Sequence, residues 1–245
     1  MYKLSKDMVH LCIIIVIIVS IIFTALILVL KYNEGGETNM PFKVSKISVI
    51  STVGAQDVEN SKEKWNLTVN QNNDLYIYLE KNSKHKKTET IKEVKIDNIN
   101  MVKKPIKGEI KIYGPSKNKV SVFENKDEYI SDEIIFKGDK KSDMQNLQIS
   151  NQGGIASFRC ANINLGTYKS NEDETVSYKQ LLQKLNINNE ELKSSLSFDL
   201  TIDLDSGVSY KSTCNVDLPI GDIVKDGRTE TEIKNLDNIF KRVEK

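Results

Sequence analysis

The residues best suited to chemistry are carboxylates grouped around one turn, Asp199, Asp203 and Asp205. Side chains two positions apart on a strand share a face, so Asp203 and Asp205 could lie on one side of the turn. The pattern D-x-D-S-G is similar to part of a calcium loop, but the other acidic ligands and the closing glutamate of an EF-hand are missing. We therefore favour a solvated strand face followed by a turn, and we assign no metal-binding residue.

A second acidic pair, Asp132 and Glu133, could work with another carboxylate in glycoside hydrolysis. That reaction needs two carboxyl groups at a defined separation, which sequence spacing alone does not supply. A carboxylate-dependent envelope hydrolase is therefore the alternative function. We assign no catalytic residue and no cofactor, and we expect that the protein is not an enzyme.

Three cysteines and two histidines limit the nucleophilic and metal chemistry open to this chain. The sequence has no CxxC, no HExxH and no histidine cluster. A nucleophile would have to recruit His85, which lies in the lysine-rich turn KNSKHKK. Cys160 and Cys214 could form a disulfide in an oxidising compartment. A buried thiol is the favoured alternative, because Cys214 falls on the apolar face of its predicted strand.

Other ligand classes have weaker support in the sequence. Gly35-Gly36 and Gly153-Gly154 lack the flanking residues of a phosphate-binding loop. Tyr76 and Tyr78 project from one face of a predicted strand and could bind sugar rings, but tyrosine is common on half-buried sheets. Segment 32–120 has an excess of basic residues and segment 121–245 an excess of acidic ones. This asymmetry could orient the protein over an anionic membrane, although two differing solvated faces are the simpler interpretation, and neither half is basic enough for nucleic acid.

The elements that would position these residues follow an uncharged segment, Val9–Leu30. A helix of this length spans about 33 Å, enough to cross a hydrocarbon core of about 30 Å. A cleaved signal peptide would have a shorter apolar core and a small-x-small site, which are missing here. We predict a tail at 1–8, a transmembrane helix at 9–31 and a linker at 32–41. Lys3 and Lys6 precede the helix and acidic residues follow it, which favours a cytoplasmic N-terminus.

The remaining segment, 42–245, has the alternating pattern of β-strands. We predict one hairpin turning at Gln71–Asp74 and a second, with strands 196–204 and 208–218, turning at the DSG sequence. A long strand at Ile155–Leu165 carries apolar residues on both faces, as a central strand would. Two short helices, Tyr178–Leu185 and Asn189–Lys193, interrupt the strands. A soft boundary falls near 138–146, and Ile233–Val243 fits a strand or a frayed helix.

These patterns predict a mainly β protein, with a transmembrane helix followed by an antiparallel β-sandwich-like ectodomain, or by two small β units. Abundant Asn, Lys and Ile are typical of an AT-rich bacterial genome. We predict a single-pass protein of the cell membrane that contacts the bilayer through Val9–Leu30. Its extracytoplasmic domain would act as a binding or scaffolding module for an envelope protein or a wall glycan.

Overall fold

A computed structural model describes residues 6–57, 64–116, 123, 133–138, 149–171, 174–234 and 239–243 of the 245-residue chain. Within these ranges the elements, in chain order, are α1 Lys6–Gly35, β1 Phe42–Asp57, β2 Asn66–Lys81, β3 Ile91–Lys103, β4 Glu109–Tyr113, β5 Glu133–Lys137, β6 Ile149–Ser150, β7 Gly153–Lys169, α2 Tyr178–Lys184, α3 Asn189–Leu192, β8 Ser194–Leu204, β9 Ser209–Leu218, α4 Ile223–Asp226, β10 Arg228–Ile233 and β11 Lys241–Val243.

The apolar part of helix α1 stands clear of the β-strands, and none of the helix's residues is buried. The helix is long and apolar enough to cross a membrane. Its β-branched residues are poor helix formers in water, but in lipid a single segment can satisfy its backbone groups only as a helix. Thr24 donates its hydroxyl to the carbonyl of Ser20, one turn earlier, over 2.8 Å. The helix continues to Gly35, so the first four residues of the expected linker at 32–41 are helical.

Two antiparallel sheets contain all the strands of the described residues. The six-stranded sheet has the order β10-β1-β2-β7-β4, with β6 also paired to β7, and the five-stranded sheet has the order β11-β9-β8-β3-β5. Each sheet takes strands from both halves of the chain. This interleaving is the arrangement of one sandwich and differs from two successive β units.

Large apolar side chains from both sheets fill the space between them. The rings of Phe158 on β7 and Phe198 on β8 meet edge to face, with centroids 5.2 Å apart. The core around them is fully buried and takes alternate residues of each strand, including Ile47, Leu75, Ile77, Ile96 and Leu200. The antiparallel sandwich predicted from strand periodicity is confirmed.

The hairpin predicted at Gln71–Asp74 is wrong, because β2 runs through these residues without turning. Gln71 and Asn73 are buried, and their side chains bond to each other. The hydroxyl of Ser51 on β1 donates to Asn73 Oδ1 over 2.7 Å, and Asn73 Nδ2 donates to the carbonyl of Cys160 on β7 over 3.2 Å. Neighbouring strands thus satisfy polar groups that would otherwise favour a turn.

Other local predictions agree with the structure. Strands β8 and β9 form the second hairpin, and Gly207 in its turn has a φ of 85°, which glycine adopts without strain. Strand β7 contains the predicted segment Ile155–Leu165 and lies between β2 and β4. The described residues at the end of the C-terminal segment form a short strand, β11, which is the strand alternative of the prediction. The boundary near 138–146 lies outside the described residues except for Gly138.

Short helices cover the end of the sandwich that lies away from α1. Helix α2 begins after Ser177, whose side chain makes no capping hydrogen bond, whereas Asn188 and Glu191 form a reciprocal capping box at α3. A second apolar cluster lies beneath α2, α3 and α4 and consists of Val53, Leu67, Val69, Leu165, Leu181, Leu182, Ile187, Leu192 and Ile223. The predicted helices at 178–185 and 189–193 are confirmed to within one residue at their ends.

Candidate functional site

The carboxylate of Asp199 lies on the outer face of the five-stranded sheet and is fully engaged by neighbouring groups. It accepts hydrogen bonds from Asn98 Nδ2 over 2.7 Å and from Thr213 Oγ1 over 2.6 Å, and Lys211 Nζ lies 2.9 Å away. Partial burial alone would raise the pKa of Asp199, but these donors outweigh it and the pKa is lowered. A carboxyl group with a lowered pKa is a poor general acid.

The structure keeps Asp199 apart from Asp203 and Asp205. Asp199 and Asp203 are four positions apart on β8, about 13 Å, whereas glycoside hydrolases separate their two carboxyls by about 5–9.5 Å. Asp203 accepts from Ser209, and Asp205 accepts from Thr90. Within the described ranges, no group of three or more His, Cys, Asp or Glu residues could hold a metal ion.

The second predicted acidic pair is only half described. Glu133 begins β5 and forms an ion pair with Lys95 on β3, with an N–O distance of 3.2 Å. Asp132 lies outside the described residues. Sequence analysis did not detect a pair that lies closer together than Asp199 and Asp203. This pair is Asp97 and Asp199, which face each other across β3 and β8. Lys211 lies between them, 3.6 Å from Asp97 Oδ1 and 2.9 Å from Asp199 Oδ2, so its ammonium group compensates one of the two carboxylate charges.

Cys160 and Cys214 are both buried in the main core as reduced thiols. The structure therefore lacks the disulfide considered for this pair. Burial raises the pKa of Cys160 to about 12. Because the thiolate is the reactive form of cysteine, this thiol is inert in the folded chain.

The tyrosines considered for sugar binding are covered by neighbouring side chains. The ring of Tyr76 lies 6.2 Å from that of Phe123, and burial raises the pKa of Tyr76 to about 12. Tyr78 lies beneath the ammonium group of Lys46, which is 4.5 Å from its ring centre. The sequence missed the ion pair beside them, in which Arg159 contacts both carboxylate oxygens of Asp74, over 2.5 and 2.8 Å. These contacts indicate a packed face.

The C-terminal segment fastens the end of α1 to the sandwich, and we call this junction the foot. The amide of Arg242 donates to Tyr32 Oη over 2.8 Å, and the amide of Glu37 donates to the carbonyl of Phe240 over 2.8 Å. Arg242 also pairs with the Glu37 carboxylate over 3.5 Å. Gly36 has a φ of 63°, and a Cβ there would lie 2.7 Å from the Phe240 carbonyl oxygen. Only glycine fits this position.

Comparison with protein-family models, curated proteins and solved structures gave no match. The function is therefore inferred from the surfaces of the chain itself.

An exposed segment at 102–107, which comprises the last two residues of β3 and the turn after it and which we call the distal loop, has the composition of a contact surface. Val102 is 70% exposed and Ile106 is 80% exposed, although both are apolar. The three lysines in the loop, Lys103, Lys104 and Lys107, are also exposed or half-buried. The amide of Ile106 donates to the carbonyl of Glu191 over 2.9 Å, which fixes the loop against α3.

The sequence analysis missed the distal loop because its two apolar residues follow no strand or helix period. Strand β3 starts at Ile91, beside the foot, and continues for 13 residues, about 40 Å, to the loop. The only sequence signal was the clustering of Val102 and Ile106 among lysines and a proline. The fold places this cluster at the end of the sandwich opposite α1.

Proposed function

We propose that this chain is a single-pass membrane protein of the bacterial cell envelope that presents its β-sandwich outside the cell as a binding or scaffolding module. The observation that carries the proposal is the complete exposure of α1, whose apolar side chains pack against no part of the described chain. An apolar surface of this size in water would be strongly unfavourable, and a bilayer removes it from water. The foot then holds the sandwich close to the membrane surface.

The distal loop is the contact surface that best fits a binding role. It lies at the end of the domain farthest from α1, and it combines two exposed apolar side chains with three cations. An apolar centre inside a polar, solvent-accessible rim is the usual arrangement of a protein-binding surface. We favour an acidic envelope protein as the partner. An anionic wall glycan would use the lysines and would depend less on Val102 and Ile106.

Proteinase treatment of intact cells tests the topology. If the domain is outside, the protease removes it from intact cells, whereas a cytoplasmic domain survives until the cells are lysed. Release of the domain into the medium with a trimmed N-terminus would indicate a cleaved signal and would contradict the anchor.

Capture from envelope extracts by the full-length protein in detergent tests the binding role. We expect Val102→Ala/Ile106→Ala to abolish capture of a specific partner without lowering the melting temperature, because both side chains are exposed. Ile135→Ala is the matched control, since Ile135 is a 42% exposed residue on the outer strand β5. Equal capture by the parent and the double variant would rule out the distal loop.

A further inference from the structure

The lysine-rich turn at 81–87, which we call the basic turn, is fixed beside the exit of α1. The amide of Asn82 donates to the carbonyl of Pro41 over 2.8 Å, and Asn82 Nδ2 donates to the carbonyl of Met40 over 2.9 Å. His85 Nδ1 lies 2.9 Å from the carbonyl oxygen of Asn39. Three successive residues of the linker therefore hold the turn in place, within a few residues of the helix end at Gly35.

The cations of the basic turn are free to meet a ligand. Lys84, Lys86 and Lys87 are exposed, and none of them pairs with an acidic side chain of the described ranges. In segment 80–89 four lysines face two acidic residues, Glu80 and Glu89. Glu80 lies 3.8 Å from Lys43, so one of these two charges is already compensated.

The end of α1 lies within electrostatic range of the headgroups, and the basic turn is bonded to the linker just beyond it. The apolar segment ends at Leu30 and α1 ends at Gly35, about 7.5 Å higher along the axis. A headgroup layer adds about 5–8 Å on each side of the hydrocarbon core, and the Debye length at physiological salt is about 8 Å. The linker that holds the basic turn thus starts at the level where anionic headgroups act.

We infer that the basic turn binds the anionic headgroups of the same bilayer that α1 crosses, as a second, electrostatic membrane contact that fixes the tilt of the sandwich. The inference rests on the membrane anchor of the proposed function. Glu34 and Glu37 lie nearby on the chain, but Arg242 pairs with Glu37. Each lysine near an anionic surface strengthens binding about fivefold, so three lysines contribute roughly a hundredfold.

The test uses the full chain reconstituted in vesicles, with Cys12→Ser and Ser83→Cys and a fluorophore on the new cysteine. Ser83 is exposed in the basic turn, and the remaining cysteines, Cys160 and Cys214, are buried. Lipids with a headgroup quencher report contact between the turn and the membrane. We expect strong quenching with phosphatidylglycerol, which falls in neutral phosphatidylcholine and in 1 M NaCl, where the Debye length is about 3 Å.

Reversing the charge of the lysines distinguishes electrostatic binding of headgroups from the proximity that the attachment to α1 alone would impose. Lys84→Glu/Lys86→Glu/Lys87→Glu should reduce the quenching in anionic vesicles to the level of neutral ones. The matched control reverses Lys103, Lys104 and Lys107 in the distal loop, carries the same change in net charge, and should leave quenching unchanged.

Equal quenching in neutral and anionic vesicles would overturn the inference, because the tether alone would then explain the proximity. Unchanged quenching in the triple variant would also overturn it. Failure of the chain to float with neutral vesicles would instead contradict the membrane anchor itself, so the two failures are distinguishable.

Discussion

The amide of Arg242 donates a hydrogen bond to the phenolic oxygen of Tyr32, which lies 210 residues earlier in the chain. Tyr32 belongs to the last turn of α1, and Arg242 belongs to β11 at the edge of the five-stranded sheet. This contact makes the end of the long apolar helix part of the folded domain. The sandwich is therefore held at the end of α1 by tertiary contacts as well as by the short linker.

Tyr32→Phe should loosen the foot without unfolding the sandwich. A typical hydrogen bond contributes about 0.5–1.5 kcal/mol, so amide hydrogen exchange at Arg242 should accelerate roughly 3–10-fold. Hydrogen exchange read by mass spectrometry measures this effect. Tyr178→Phe, at an exposed tyrosine of α2, is the control and should leave exchange at Arg242 unchanged. Unaltered exchange in Tyr32→Phe would show that the contact does not hold the foot.

Asp74→Ala should destabilise the chain by about 2 kcal/mol, because it leaves the Arg159 guanidinium without its carboxylate partner. This figure is discounted for the 29% exposure of the Arg159 side chain. Urea unfolding in detergent, followed by the fluorescence of the single tryptophan, Trp65, measures the change. Glu230→Ala breaks an exposed pair with Arg228 and should change the free energy of unfolding by less than about 0.5 kcal/mol. Similar effects of the two substitutions would contradict the assignment of a buried pair.

Glu174 should make the stability of the chain depend on pH below 4.5. The Lys184 ammonium, the Asn171 amide and the Tyr168 hydroxyl bond to its carboxylate and lower its pKa from 4.5 to about 2. Because the folded-state pKa is the lower one, this stabilisation is fully present above pH 4.5 and is lost as the pH falls towards 2.

Comparison of the parent with Glu174→Gln isolates the contribution of ionised Glu174 to the free energy of unfolding. We expect the difference in their free energies of unfolding to be constant above about pH 5.5 and to shrink between pH 4.5 and 2. The difference should also shrink with added salt, since the pair is exposed. A difference that stays constant from pH 6 to 2 would show that Glu174 is not held as an ionised partner.

Cys160 and Cys214 should resist alkylation in the folded chain. Both thiols are buried, and the pKa of Cys160 is raised to about 12, so little thiolate forms at neutral pH. Mass spectrometry after treatment with a maleimide should show label on Cys12 in detergent and on all three cysteines only after denaturation. A mass lower by two hydrogens, restored by reduction, would instead reveal the disulfide between Cys160 and Cys214.

Periodicity predicted most of the strands because burial on one face of a sheet demands alternation. It failed at Gln71–Asp74, where polar side chains typical of a turn lie within β2. The odd-numbered positions of β2 are nevertheless all buried, from Leu67 through Asn73 to Leu79. The burial of alternate positions continues without a shift across the asparagines, and this was the signal of an unbroken strand. Only the hydrogen-bond partners on β1 and β7 explain why polar residues are stable at its buried positions.

The sequence by itself determined the long apolar helix, the second hairpin and the mainly β class, since each depends on local composition and short periods. Only the tertiary structure decided which carboxylates are neighbours, which strands share a sheet, and which loops lie beside the end of α1 or far from it. Cross-strand neighbours such as Asp97 and Asp199 are about 100 residues apart in the chain. Such pairings depend on the register and order of strands, which short-range patterns do not encode.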